Sequence, residues 1–401
     1  RMKIGIIRET KIPADTRVCL PPKQCAAIVA QHPAIQIVVQ QSESRCFTDT
    51  EYTELGVPLQ EDMSDCDILL GVKEVNKDAL IEDKQYFFFS HTIKKQSYNK
   101  SLLQKVLQKK IQLVDYETLT NNNGLRVIAF GPWAGVVGAH NGILTWGKRK
   151  GRFELKPMKQ CFDFEEAKSN YTNLDLKGLK LVITGTGRVS NGSAEVLDLM
   201  NIKKLSSEAF LAYRGEDPVY CMLTTKMLFA KGENNDFDEG FFKNPRGYHS
   251  IMAPYLSKAN LLINGIYWDN KAPVLFTKET MKNKDFSIEV IADITCDIAP
   301  VSSIPSTLRA STIEDPIFGY DPVSEQESSP FQAHTVDMMT VDNLPNELPR
   351  DASTDFGNQF VEHVLPELLE NKIDMIHRAS ITTKDGVLNE PYLYLSDYIA
   401  D

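Results

Sequence analysis

The stretch LKLVITGTGRVSNGSAEVLDLM, beginning at Leu179, limits the fold more tightly than any other part of the chain. LKLVITG reads as a strand, GTGRVSNG as a turn, and SAEVLDLM as a helix with apolar residues at helical spacing. Ser190 stands where the third glycine of a GxGxxG turn would fall, and Gly192 follows just beyond. Glycines there permit a tight turn and close approach of a pyrophosphate, whose charge is met by free N–H groups opening the next helix. A Gly-x-Gly alone is weak, because any parallel sheet can use a glycine turn. Its place between an apolar strand and a periodic helix favours a dinucleotide site.

The rest of the chain repeats this alternation. Strands are expected at Lys3–Arg8, Ile35–Gln40, Cys66–Val72, Gln85–Ser90 and Gln112–Asp115, with helices at Pro21–Gln31 and Ser101–Lys110. Beyond the glycine turn, further strands fall at Ala259–Ile266, Ser287–Ile294 and Val336–Val341, and a helix at Thr354–Leu369. Gly232–Gly240 and Pro322–Pro330 read as loops. Alternation of this kind gives an α/β chain with parallel sheets and crossover helices. At 401 residues the chain exceeds one ordinary core. We expect two Rossmann-like domains, the first discontinuous: 1–131 with 326–401, and 132–325 between them.

Composition narrows the function classes. The chain holds 44 basic and 54 acidic residues, a net charge of −10, which argues against a nucleic-acid or anionic-membrane surface. Its seven cysteines are scattered, with no Cys-x-x-Cys, and suit free thiols in a reducing cytoplasm better than disulfides or a metal site. Val127–Gly147 carries no formal charge, but its proline, glycines and polar groups argue for buried backbone against a cofactor or another domain, not a membrane span.

Two features bear on chemistry. About 20 residues past the glycine turn, where an acid would bind a ribose 2′-OH, Asn201–Ser207 offers Lys203, Lys204, Ser206 and Ser207, with Glu208 opening the next helix. That favours NADP over NAD, unless these lysines are merely solvated. Lys73 follows the strand CDILLGV, and His91 follows the strand ending at Ser90. Ligands of open parallel sheets bind beyond the carboxyl ends of strands, and apolar walls depress an ammonium pKa. Taken singly, such a lysine is more often a surface residue and a lone histidine a bystander.

Nine blocks carry a resemblance. RETKIPADTRVCLPP, ILLGVKE, FFSHTIKKQ, VDYETL, RVIAFGPWAGVVG, ITGTGRVSNG, ANLLINGIYWDNKAP, IADITCD and VDNLPNELPRDAS span nearly the whole chain. In this order they resemble lysine-forming saccharopine dehydrogenase and lysine–ketoglutarate reductase, of the alanine dehydrogenase/transhydrogenase superfamily. The resemblance implies an oxidoreductase interconverting saccharopine with lysine and 2-oxoglutarate. Lys73 and His91 would be its acid–base pair, and Arg17, Lys94, Glu117, Arg126 and Asp293 its substrate contacts. Gly185, Thr186, Gly187, Arg188, Val189, Ser206 and Ile266 would hold the nucleotide. It implies no metal, an active site in a cleft between the domains, and leaves room for a homo-oligomer. Two departures stand out: Asp297 is followed by Ile298, Ala299 and Pro300 instead of Gly-Gly, and Thr184 replaces the first glycine of the fungal-type turn. An alanine dehydrogenase-like or other opine-type enzyme, and a non-catalytic nucleotide-binding relative, are the alternative readings.

Overall fold

The computed structural model describes residues 1–372 and 374–401. Two compact units divide it: Arg1–Phe130 with Pro349–Asp401, and Gly131–Leu348. The expected return to the first domain at 326 falls inside the second unit. The physical reason is the strand Val336–Met339, which pairs within the second sheet.

The first unit contains β1 (Met2–Ile6), β2 (Ile35–Val39), β3 (Ile68–Leu70), β4 (Gln85–Phe88) and β5 (Gln112–Asp115), in the order β2-β1-β3-β4-β5. Every pairing is parallel. Both faces of such a sheet are covered, so its strands read as continuous apolar runs. Helices α1 (Pro22–Gln31) and α2 (Lys100–Gln108) supply the crossovers, with Cys25, Ile28, Leu102, Leu103 and Val106 turned inward. The returning segment closes the core. Phe356, on the helix Pro349–Gln359, meets Tyr116 edge-on at 4.9 Å and stacks on Phe130 at 4.6 Å, and Phe360 meets Phe87 at 6.0 Å. Each such pair adds about 0.5–1.5 kcal/mol beyond area burial, which explains why residues so distant in sequence belong to one core.

The second unit holds β6 (Lys180–Thr184), β7 (Lys203–Lys204), β8 (Val219–Leu223), β9 (Phe229–Lys231), β10 (Tyr248–Ser250), β11 (Leu261–Asn264), β12 (Val290–Asp293), β13 (Ile317–Asp321), β14 (Gln326–Ser328) and β15 (Val336–Met339). Its main sheet runs β14-β13-β15-β12-β11-β6-β8-β7. The six strands from β15 to β7 are parallel, but β13 and β14 are antiparallel, so this sheet is mixed rather than purely parallel. β14 lies within the expected loop 322–330. β9 and β10 form a separate antiparallel pair.

Val127–Gly147 is largely helical: α3 spans Gly131–Lys150, and residues 135–147 are all buried. It packs on α4 (Arg188–Leu199), the helix opened by the glycine turn. A Cβ at Gly135 would overlap the Val189 carbonyl oxygen, and one at Gly192 the Pro132 carbonyl oxygen. The glycines that weaken local helix propensity are what let two backbones touch. No helix among the described residues is long and apolar enough to cross a membrane.

Candidate functional site

In the first unit the carboxyl ends of β1, β3 and β4 gather the charged residues. Pairing continues past β3 and β4, with Gly71 N–H on the Phe87 carbonyl and Phe89 N–H on the Val72 carbonyl at 2.9 and 2.8 Å. Lys73 and His91 therefore leave the sheet side by side. Beyond β1, the Glu9 carboxylate accepts the Val72 and Lys73 amides at 3.1 and 2.6 Å. Burial raises its carboxyl to about 8, against the lowering effect of those amides.

Lys73 has no ion-pair partner among the described residues. Desolvation lowers its pKa, with help from Arg17, while Asp15 and Glu74 oppose the shift. His91 adopts a left-handed backbone (φ 52°), rare for a residue with a Cβ, and lies over Phe89 with ring centroids 6.2 Å apart. Its Nδ1 is 2.7 Å from Glu74 Oε1. Glu74 also takes Lys11 Nζ at 2.9 Å and Asn99 Nδ2 at 3.2 Å. Burial opposes ionisation of Glu74, yet bonds from His91 and Lys11 hold its carboxyl below the usual range. An ionised carboxylate only accepts, so Nδ1 carries a proton toward Glu74 and Nε2 is the nitrogen left to exchange one.

Arg17 is buried and gripped in bidentate fashion by Asp15, Nε on Oδ1 at 3.0 Å and Nη2 on Oδ2 at 2.6 Å. The guanidinium lies 4.3 Å over the Phe130 ring. Burial would raise Asp15, but the Arg17 charge and hydrogen bonds hold it at about 2. Glu117 follows β5 and is half-buried, whereas Lys94 and Arg126 are exposed, Arg126 reaching the Ile128 carbonyl at 3.4 Å. Glu74 thus joins His91, Lys11 and Asn99, Glu9 holds the Lys73 amide, and the Arg17–Asp15 pair acts on Lys73 through its charges, whereas no hydrogen bond or ion pair among the described residues joins Lys94 to them. Glu9, Asp15, Glu74 and Asn99 were not singled out from sequence. Only the acid beside Lys73 at a strand end gave a signal.

In the second unit, Gly185 has φ 92° and an added Cβ would stand 2.9 Å from Ser190 Oγ and 3.1 Å from Ile266 Cα. Ser190 Oγ bonds the Thr184 carbonyl at 2.8 Å, stitching helix to strand as a third glycine would allow. Nothing lies within 4 Å of a Cβ built on Gly187, and no side chain caps α4 there. Gly185, Thr186, Gly187, Arg188, Val189 and Ile266 share this end of the sheet. The open space beside Gly187, at the start of a helix whose N-cap carries no side chain, fits a pyrophosphate. Ser206 does not join them: it caps the helical turn after β7, at the sheet edge.

Asp293, expected to face the substrate amine, is buried with both oxygens occupied from within the unit. Asn264 Nδ2 and Thr295 Oγ1 donate to Oδ1 at 3.0 and 2.8 Å, and Thr307 Oγ1 to Oδ2 at 2.6 Å. Asn264 also takes the Thr184 hydroxyl at 2.6 Å. The carboxylate therefore ties together the ends of β6, β11 and β12 and the following loop. Burial raises its pKa.

Residues 5–137 match the family model "Alanine dehydrogenase/PNT, N-terminal domain". The chain is 29% identical to the alpha-aminoadipic semialdehyde synthase of Arabidopsis thaliana, over 88% of this chain and 37% of that one. It is 25% identical to "Saccharopine dehydrogenase [NAD(+), L-lysine-forming]" of Emericella nidulans, over 92% of each. The chain thus spans less than half the length of the synthases it matches. The fold matches that of an L-alanine dehydrogenase, with a TM-score of 0.66 at 16% identity over both full chains.

Proposed function

We propose that this chain, whose residues 5–137 match the alanine dehydrogenase/PNT N-terminal domain, is a nicotinamide-dependent oxidoreductase interconverting saccharopine with L-lysine and 2-oxoglutarate. The single observation that carries the reading is the joint exit of Lys73 and His91 from adjacent strands, with His91 oriented by Glu74. The names of relatives aligned over about nine-tenths of the chain favour this substrate within the superfamily.

In the reductive direction the lysine ε-amine adds to the keto carbon, water leaves, and the resulting imine is reduced. Each step moves a proton. His91 Nε2 can take one, because Nδ1–H is held by Glu74. Lys73, with its ammonium destabilised by burial, can release one and recover it. Saccharopine carries three carboxylates, so a protein of net charge −10 must gather cations locally to hold it. Arg17, fixed by Asp15 and Phe130, is oriented for such contact, with Lys94 and Arg126 as further cations. When bound at the Gly185 turn, NAD(P)H would supply the hydride.

The test is consumption of NADPH or NADH with lysine plus 2-oxoglutarate, run beside pyruvate plus ammonia. Turnover is expected with the first pair. Turnover confined to the second would move the substrate to alanine, and none with any amino acid and keto acid pair would leave a binding protein.

A further inference from the structure

Strand register changes which residues can choose the cofactor. Lys203 pairs with Val219 and Lys204 with Tyr220, the first two residues of β8. The ligand end lies four residues beyond the partner of Lys203 and three beyond that of Lys204, where Thr184 pairs with Leu223 and the Gly185 N–H bonds the Leu223 carbonyl at 2.8 Å. At ~3.3 Å per residue that is roughly 13 and 10 Å along the strand. Ser206 Oγ is engaged by the Ala209 N–H at 3.1 Å, and Ser207 is buried. β7 is also an edge strand, separated from β6 by β8.

In the 3-2-1-4-5-6 order of a dinucleotide-binding sheet, the acid that reads the ribose 2′-OH ends the strand directly beside the glycine strand. β8 takes that place here, although it is the third strand in sequence. It ends in Leu223 and is followed by Thr224, Thr225 and Lys226, with no acid. Thr224 Oγ1 is a buried hydroxyl without a hydrogen-bond partner. Buried polar atoms are rarely left so, and this one lies beside the glycine turn. Lys226 is exposed and makes no ion pair among the described residues.

We propose that Thr224, Thr225 and Lys226, at the carboxyl end of β8, form the subsite for the 2′-phosphate of NADP(H). Lys203, Lys204 and Ser206 then take no part in cofactor choice. This rests on the nucleotide reading of the Gly185 turn and deepens it. A phosphate oxygen pairs with the Lys226 ammonium and, once the Thr224 side chain turns to meet it, accepts from the orphan hydroxyl, while a ribose hydroxyl offers no charge to Lys226.

Titrating the full chain with 2′,5′-ADP, NADPH and NADH, read by calorimetry or nicotinamide fluorescence, tests the assignment without turnover. Lys226→Ala and Thr224→Asp should each weaken NADPH and 2′,5′-ADP by about tenfold or more, and leave NADH within a factor of about 2. The double variant Lys203→Ala, Lys204→Ala should bind all three as the wild type does. Lys226→Glu, at an exposed position, carries the test if Thr224→Asp does not fold. Selectivity that follows Lys203 and Lys204, or that survives both β8-end substitutions, overturns the subsite. Wild-type binding of NADH equal to or tighter than NADPH also overturns it, while leaving the dinucleotide reading intact. Binding of neither dinucleotide overturns that parent reading too.

Discussion

At the ends of β1, β3 and β4 the groups are ions: Lys11 on Glu74, Glu74 on His91, Arg17 on Asp15, and Lys73 beside them. At the ends of β6, β11 and β12 they are mostly neutral: Thr184 on Asn264, Asn264 on Ser303, and Ser190 on a backbone carbonyl, with Asp293 enclosed by hydroxyl and amide donors. Both sites occupy the same place in a parallel sheet. The contrast follows from what each can recognise. Moving protons and gripping carboxylates requires charges whose pKa values are pushed apart. Cradling a pyrophosphate requires backbone N–H groups and room to approach, for which glycine and small hydroxyls suffice.

The sharpest way to break this comparison is to remove the ions that would carry the chemistry. Lys73→Met and His91→Gln should each lower turnover by roughly 10²–10⁴-fold, with dinucleotide affinity unchanged, since both belong to the first unit and the Gly185 turn to the second. Their double variant should lose far less than the product of the single losses, as expected of groups in one proton relay. Near-full turnover in both single variants would show that the charge cluster is structural.

Arg17→Ala comes next. It should raise the Michaelis constant for 2-oxoglutarate or saccharopine by an amount equal to about 1.5–3 kcal/mol, and leave that for the nucleotide alone. Its loss also leaves the buried Asp15 without its counter-charge, so the destabilisation relative to the wild type should be larger at neutral pH than at acid pH. Steady-state kinetics and urea unfolding at two pH values measure both effects. An equal change in both Michaelis constants would mean that Arg17 serves the fold and not a carboxylate.

The smallest effect belongs to the second unit. Glu347 is buried, with Asn141 Nδ2 donating to it at 2.8 Å, and burial raises its carboxyl from 4.5 to about 7. A raised folded-state pKa means that the native state holds a proton the unfolded chain has lost. This contribution to stability is fully present below pH 4.5 and disappears as pH rises through about 7. The slope in between is at most about 1.4 kcal/mol per pH unit. Glu347→Gln should remove that part of the pH dependence of unfolding, and parallel wild-type and variant curves would refute it.

The same contrast decides how much was legible in the sequence. Alternating strands and helices, the glycine turn and the strand-end placement of Lys73 and His91 are local patterns, and periodicity reveals them. Strand order is not local. Asn201–Ser207 follows the glycine helix at the right distance, but β7 is two residues long and β8 takes the inner position, so spacing alone could not reveal that these lysines sit on an edge strand. The burial of 127–147 is legible but its helix α3 is not, because its glycines and proline lower helix propensity and only contact with α4 explains them. Glu9 and Asp15 escaped notice because an acid in a loop carries no signal until the fold brings a base to it.

The crossing of α3 on α4 has a mechanical consequence. Where Gly135 meets the Val189 carbonyl and Gly192 meets the Pro132 carbonyl, the interface is main chain against main chain, with the Ser193 hydroxyl pinned to the Gly135 carbonyl at 2.7 Å. No rotamer can adjust there. Sliding either helix by one residue would bring a side chain onto a carbonyl, so the pair works as a detent with a single seat. The start of α4, and with it the glycine turn, is thereby indexed to α3, and any larger residue at position 135 or 192 would unseat it without altering a single charge.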